Sequence, residues 1–307
     1  MQNYVLRTFN LTKKYGEQFA LDHVNMTIKK GDIYGLIGRN GAGKTTLIRT
    51  ITGLVSKSEG AIELFSHKEE KEIRQQRRRI GSIIEAPSLY LSYTAYQNMK
   101  VRQLMLGIPE EERIEQILKT VGLADTGKKK VKNFSLGMKQ RLGLGLALLS
   151  NPDFLILDEP TNGLDPEGIR EFRRLLRELN ESYNITILIS SHILGELSKI
   201  ATRYGVIYNG VLVDEFTNQE LATRCRKYLQ IQVDDIERAT FVLENKLQTS
   251  DYRVKDGEIL HIYDLLDQSG NICLALAQEG VKVFTIESKG DDLESYFLNL
   301  MGGLQHA

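Results

Sequence analysis

The sequence predicts an α/β fold built on a mainly parallel sheet, followed by a small α+β domain. Three observations carry this reading. Short apolar strands alternate with helical patterns along most of the chain, as they do where helices cross over between parallel strands. A glycine-rich stretch, 38–45, stands between one such strand and one such helix. Near 216–228 the pattern changes, and beyond it the order is strand, helix, strand, strand, helix, strand, which suggests a ferredoxin-like unit. The expected domains are 1–215 and 216–307.

Residues 4–10 and 18–29 alternate apolar and polar side chains, as half-buried strands do. Residues 33–37, Ile-Tyr-Gly-Leu-Ile, read as a short buried strand. The segment after the glycine-rich loop sets Leu47, Ile48, Ile51 and Leu54 on one helical face. Residues 80–84 are another strand candidate. From about Pro87 to Leu149 the pattern is mainly helical, which defines a helical subdomain at about 87–150. Residues 154–157 form an apolar strand, followed by a charged helix near 167–181. The next strand is 185–190, again with a helix behind it. Tyr204 to Val213 looks like an edge hairpin turning at Asn209-Gly210. In the second domain, strands are expected at 228–233, at 252–263 with a turn at Asp256-Gly257, and at 281–286. Helices are expected at 236–247, 268–279 and 291–301. No internal repeat or low-complexity segment is seen.

Composition narrows the function. The chain has 307 residues, with 40 Lys+Arg against 40 Asp+Glu and no net charge. Global charge therefore does not hold it to nucleic acid. Its two cysteines, Cys225 and Cys273, form neither a disulfide framework nor a cysteine-built zinc site, and a reduced, cytosolic compartment is the simplest expectation. No apolar run reaches the length of a membrane span, and the first residues do not read as a signal peptide. If function involves a membrane, a partner is expected to supply the span.

The stretch Gly38-Arg39-Asn40-Gly41-Ala42-Gly43-Lys44-Thr45 fits G-x-x-x-x-G-K-[ST], the phosphate-binding P-loop. Glycines let the backbone wrap an anion, and amide N–H groups and the following helix N-terminus point at the phosphates. Lys44 can reach the β- and γ-phosphates and Thr45 can ligate Mg²⁺; Thr46 follows directly. The bland alternative, a chance glycine turn, arises in about one chain in a hundred of this length. Residues 154–160, Phe-Leu-Ile-Leu-Asp-Glu-Pro, are an apolar strand ending in two carboxylates. Alone that is a common way to end a strand. Beside a P-loop it completes a nucleotide site, with Asp158 holding Mg²⁺ and Glu159 polarising the attacking water.

Taken together, these motifs resemble the nucleotide-binding domain of ABC transporters over roughly residues 4–215. Residues 134–141, Phe-Ser-Leu-Gly-Met-Lys-Gln-Arg, resemble that family's signature loop, keeping Ser135 and Gly137 and departing at Leu136 and Met138. Asp165 resembles the D-loop aspartate, His192 the switch histidine and Tyr15 the aromatic that stacks on adenine. The resemblance implies a P-loop ATPase core with an antiparallel β subdomain and a helical subdomain. It also implies ATP and Mg²⁺ as cofactors, with Lys44, Glu159 and His192 as the catalytic groups. Two copies are expected to pair head to tail, each ATP lying between the P-loop of one and the Ser135–Gly137 loop of the other. An integral membrane permease would couple beside Glu85 and the 87–130 helices, keeping the chain at the cytoplasmic face of the membrane. No nucleic-acid partner is expected.

One position departs further. Where the family usually has glutamine, this chain has Glu85, in Ile-Ile-Glu-Ala-Pro. Glutamate there resembles the E-loop of lantibiotic-immunity and bacitracin-resistance ATPases, and residues 31–35, 134–141 and 291–297 also resemble those ATPases. The resemblance implies a nucleotide-site role for Glu85 and an export-type ATPase that confers resistance to a peptide antibiotic. The alternatives are a non-transport ABC ATPase acting on ribosomes or DNA, and an exporter of another substrate. A GTP switch lacks support, because no Asn-Lys-x-Asp base-reading motif is present.

Overall fold

A computed structural model of the chain describes residues 4–110 and 112–290. The chain divides into two compact units after Asn218.

The first unit opens with an antiparallel sheet. Strand β1 (Tyr4–Tyr15) pairs with β2 (Gln18–Val24) and β3 (Thr27–Lys29). The alternation in the sequence stops near residue 10 because β1 bulges there. Asn10 takes φ 46° and the pairing register shifts between Phe9 and Thr12, which restarts the in–out pattern one step out of phase. The chain then enters the central sheet through β4 (Ile33–Ile37) and α1 (Lys44–Thr52), and returns to β1 through β5 (Glu59–Leu64). Leu47, Ile48 and Ile51 are buried as expected, but Leu54 is 67% exposed. Gly53 caps α1 in the left-handed conformation, at φ 81°. It turns the chain so that Leu54 leaves the helical face.

Helix α2 (Glu70–Gln76) precedes β6 (Ile80–Ile83). The helical layer comprises α3 (Ala95–Leu106), α4 (Glu112–Thr120) and α5 (Leu136–Leu148). Residues 87–94, expected to be helical, are a loop. The buried Asn98 holds it by donating to the Tyr90 and Thr94 carbonyls at 3.1 and 2.9 Å. Gly143 on α5 lets this loop approach closely, since a Cβ there would lie 2.5 Å from Pro87.

Strand β7 (Phe154–Leu157), helix α6 (Pro166–Tyr183), β8 (Thr186–Ser191), α7 (Leu194–Leu197), β9 (Arg203–Tyr208) and β10 (Val211–Thr217) complete the unit. The central sheet has the order β10-β9-β4-β8-β7-β6 and is parallel except for β10. The hairpin at Asn209-Gly210 is present, with both residues at positive φ (46° and 81°), as Asn-Gly favours. It is not wholly at the edge, however, because β9 lies between β4 and β10. A core of fully buried Leu6, Leu21, Leu36, Leu47, Phe154 and Leu188 joins the antiparallel sheet, α1 and the central sheet. Each such side chain contributes about 1.5–3 kcal/mol by leaving water.

Helix α8 (Asn218–Arg224) begins at the division between the units. The second unit holds β11 (Tyr228–Val233), α9 (Ile236–Asn245), β12 (Tyr252–Lys255), β13 (Ile259–Ile262), α10 (Ser269–Gln278) and β14 (Val283–Lys289). Its antiparallel sheet, ordered β12-β13-β11-β14, has the ferredoxin-like arrangement. Leu229, Ile231, Leu260 and Ile262 pack with Val242 and Leu243 of α9 and Ile272 and Leu276 of α10. The helix expected at 291–301 and the likeness at 291–297 lie outside the described residues. Among the described residues no helix is long and apolar enough to cross a membrane.

Candidate active site

Strands β4, β8 and β7 end side by side in parallel register. The loops leaving them therefore converge at the C-terminal edge of the sheet, where open α/β sheets bind ligands. The first is the glycine-rich loop. Gly43 takes φ 109°, and a Cβ there would lie 2.8 Å from the Ala20 carbonyl. A Cβ on Gly38 would lie 2.6 Å from the Ile207 carbonyl. Gly43 demands glycine on conformational and steric grounds, and Gly38 on steric grounds alone. Lys44 is 4% exposed; its Nζ donates to the Gly38 and Arg39 carbonyls at 2.7 and 3.1 Å and lies 3.0 Å from Glu159 Oε1.

Asp158 and Glu159 follow β7. Thr45 Oγ1 donates to Asp158 Oδ2 at 2.7 Å, and Ser190 Oγ donates to Asp158 Oδ1 at 2.6 Å. The same Ser190 oxygen accepts from the Glu159 N–H at 2.9 Å. Glu159 takes φ 45°, a conformation that costs a non-glycine residue of order 1–3 kcal/mol. Its Oε2 lies 3.1 Å from His192 Nδ1. Burial pushes the Glu159 carboxyl up. The hydrogen bond and charge of Lys44, joined by His192, outweigh burial and leave it below the ordinary carboxylate range.

A cleft of about 480 Å³ is lined by Asn40, Gly41, Gly43, Lys44, Thr45, Thr46 and Glu159 together with Tyr15, Gln18, Phe19 and Ala20. Asp158 and His192 reach it only through their contacts to Thr45 and Glu159. Tyr15 is 53% exposed, which leaves its ring accessible to a planar partner, and Lys13 Nζ approaches that ring at 4.9 Å. Ala42 is buried beneath the loop.

Ser135, Gly137 and Asp165 are not in this cleft. They line a second one, of about 450 Å³, with Leu164 and Arg141. Ser135 Oγ caps α5 by accepting from the Met138 N–H at 3.2 Å, and Asp165 caps α6 by accepting from the Gly168 N–H at 2.8 Å. Glu85 also lies apart from the first cleft's lining. Its carboxylate pairs with Arg49 Nη2 at 2.5 Å and is 65% exposed.

Sequence reasoning missed Ser190 and Arg49. Ser190 ends an apolar strand and marked only a strand terminus. Nothing in the local sequence points from Arg49 to a residue 36 positions away. Among the described residues no group of three or more His, Cys, Asp or Glu side chains gathers as a metal site. The Thr45 hydroxyl and Asp158 carboxylate nevertheless form a small set of hard oxygen donors. That set fits Mg²⁺, which keeps waters and takes phosphate oxygens rather than an all-protein cage.

Residues 21–162 match the ABC transporter family. Over 299 residues the chain is 45% identical to the bacitracin transport ATP-binding protein BcrA of Bacillus licheniformis, covering 97% of this chain and 98% of that one. It is 50% identical over 211 residues to the lantibiotic transport ATP-binding protein SrtF of Streptococcus pyogenes, covering 69% of this chain and 90% of that one. Among solved structures, cbiO1 of Clostridium perfringens, part of an ABC transporter complex, superposes with TM-score 0.67 at 28% identity over 80% of this chain and 97% of that one. The ATP-binding cassette MJ0796, a dimer in a post-hydrolysis state with ADP and Pi, superposes with TM-score 0.62 at 27% identity, covering 69% and 98%. With a cleft of this build and similarity to such relatives over nearly its whole length, the chain belongs to the ATP-binding proteins of the ABC transporter family and is a transporter ATPase.

Proposed function

We propose that this ATPase subunit powers an export-type transporter that protects the cell from a peptide antibiotic of bacitracin or lantibiotic type. The observation that carries the reading is the match to a bacitracin transport ATP-binding protein over nearly the whole of both chains, second unit included. An integral membrane permease binds at the β6 edge of the central sheet. A groove of about 320 Å³ there is lined by Ile84, Pro87, Arg102, Leu106 and Leu146 and flanked by the exposed Leu104 and Met105. This contact holds the chain at the cytoplasmic face of the membrane. The second unit is an accessory domain, since every ATPase motif precedes it.

Adenine stacks on Tyr15. The phosphates lie on the amides of 38–45, and the helix N-terminus favours their charge. Lys44 has one ammonium and two claimants: Glu159 and the incoming β- and γ-phosphates. Phosphate binding takes Lys44 from Glu159 and frees the carboxylate to orient the attacking water. His192, beside Glu159, contacts the γ-phosphate. Thr45 and Asp158 hold Mg²⁺, which when bound neutralises charge on the phosphate oxygens. Ser135 and Gly137 lie in a separate cleft of the same chain. They therefore meet ATP on a second copy, paired head to tail, and hydrolysis lets that pair open.

The test is protection in cells. Antibiotic-sensitive cells carrying the permease and this chain should survive bacitracin or a lantibiotic, and cells carrying Glu159→Gln should not. Equal survival with both would remove the export reading.

A further inference from the structure

Three acidic side chains stand at the C-terminal edge of the central sheet, and helix α1 holds each of them. Lys44 takes Glu159 and Thr45 takes Asp158 in its first turn. Arg49 takes Glu85 one turn later. Four residues of helix rise place Arg49 about 6 Å beyond Thr45 along α1, on the same helical face. The parallel register pairs Ile83 with Leu157. Two residues past that pair stand Glu85 and Glu159, both in left-handed backbone at φ 62° and φ 45°. A non-glycine residue holds such a conformation only when its surroundings compensate. For Glu159 the compensation comes from Lys44, His192 and Ser190. The Glu85 carboxylate has the Arg49 guanidinium as its partner, through a single Nη2–Oε1 contact.

We propose that Arg49 is a positioning residue that competes with the nucleotide-bound divalent cation for the Glu85 carboxylate. This rests on the reading of Glu85 as a nucleotide-site residue. To turn toward Thr45 and Asp158, Glu85 gives up Arg49; when the phosphates leave, Arg49 takes it back. The loop that Glu85 heads continues through Pro87 against α5, so the exchange moves a segment lining the groove of Ile84 and Leu106. Arg49 thereby sets the cation concentration at which that groove responds to ATP.

The chain contains no tryptophan, so Ser88→Trp, at an exposed position three residues past Glu85, makes a single reporter of this loop. The full chain carrying it is held at saturating ATP while Mg²⁺ is titrated and emission read. Both members of the pair are exposed, Arg49 at 39% and Glu85 at 65%, so their variants retain the fold. Because the pair is solvent-screened, Arg49→Gln should lower the Mg²⁺ midpoint by about two- to fivefold. Arg49→Lys should stay within about twofold of the parent. In a Glu85→Gln background, Arg49→Gln should shift nothing. The proposal is overturned if Arg49→Gln leaves the midpoint in place while Glu85→Gln moves it. It is equally overturned if Arg49→Gln shifts both backgrounds alike, which would reflect helix α1 alone. If Glu85→Gln by itself leaves the Mg²⁺ response unaltered, the reading of Glu85 falls, and this proposal with it.

Discussion

Replacing Glu159 with glutamine separates binding from chemistry, and the structure sets the size of each effect. The carboxylate makes two ionic contacts, 3.0 Å to Lys44 and 3.1 Å to His192. Glutamine keeps the shape and loses the charge. Turnover should fall by about 10²–10⁴, the usual worth of a positioned base. Affinity should move the other way. On the proposed mechanism Glu159 competes with the phosphates for the ammonium; with Lys44 4% and Glu159 23% exposed, the pair is worth about 1 kcal/mol, the upper end of the range for solvent-screened pairs. Releasing it should leave ATP binding unchanged or tighter by up to about fivefold. The assays are phosphate release at saturating ATP and equilibrium titration with a fluorescent ATP analogue. A turnover within threefold of the parent would refute the base assignment. An affinity loss of tenfold or more would refute the competition for Lys44.

Lys44→Ala should weaken ATP binding in equilibrium titration and lower turnover together, because the buried ammonium is the cation proposed to lie over the phosphates. Glu85→Gln should keep ATP affinity within about tenfold yet cost more in antibiotic survival measured beside the permease. Glu215 has its carboxyl raised by burial, only partly offset by the Tyr34 hydroxyl that donates to it at 2.7 Å. With the folded value above the unfolded value of about 4.3, the folded chain binds more protons, so this residue costs stability as pH rises through that window. Thermal melts from pH 4 to 7 should show Glu215→Gln losing less stability across that range than the parent, and parallel curves would contradict the burial argument. A chain ending at Asn218 should fold and bind ATP, as read by circular dichroism and nucleotide titration.

Much of the first cleft was legible because its chemistry is tied to contiguous residues. A loop that must wrap phosphates needs glycines at 38, 41 and 43 and a lysine at 44, between a strand and a helix. Asp158 and Glu159 could be placed because an apolar strand delivers them to the sheet edge. The supports of these groups were not legible. Ser190 holds Asp158 across 32 positions and Arg49 holds Glu85 across 36, and pairings made by sheet register leave no local pattern. The same holds for the fold. Alternation revealed the start of β1 but not its continuation past the bulge at Asn10, and helical spacing placed Leu54 on a face that Gly53 ends. The turns at Asn209-Gly210 and Asp256-Gly257 were visible, since those dipeptides favour the positive φ that both show.

In the proposed mechanism one ATP site is built from the Lys44 loop of one copy and the Ser135 loop of another. Mixing two inactive chains tests this. A Lys44→Ala chain and a Ser135→Arg chain are each expected to release little phosphate alone. In an equal mixture half the pairs are mixed, and each mixed head-to-tail pair has one site with both loops intact. Phosphate release should therefore recover to about a quarter of the parent rate. No recovery above the separate chains, with mixed pairs shown by affinity tags to be present, would contradict the shared site.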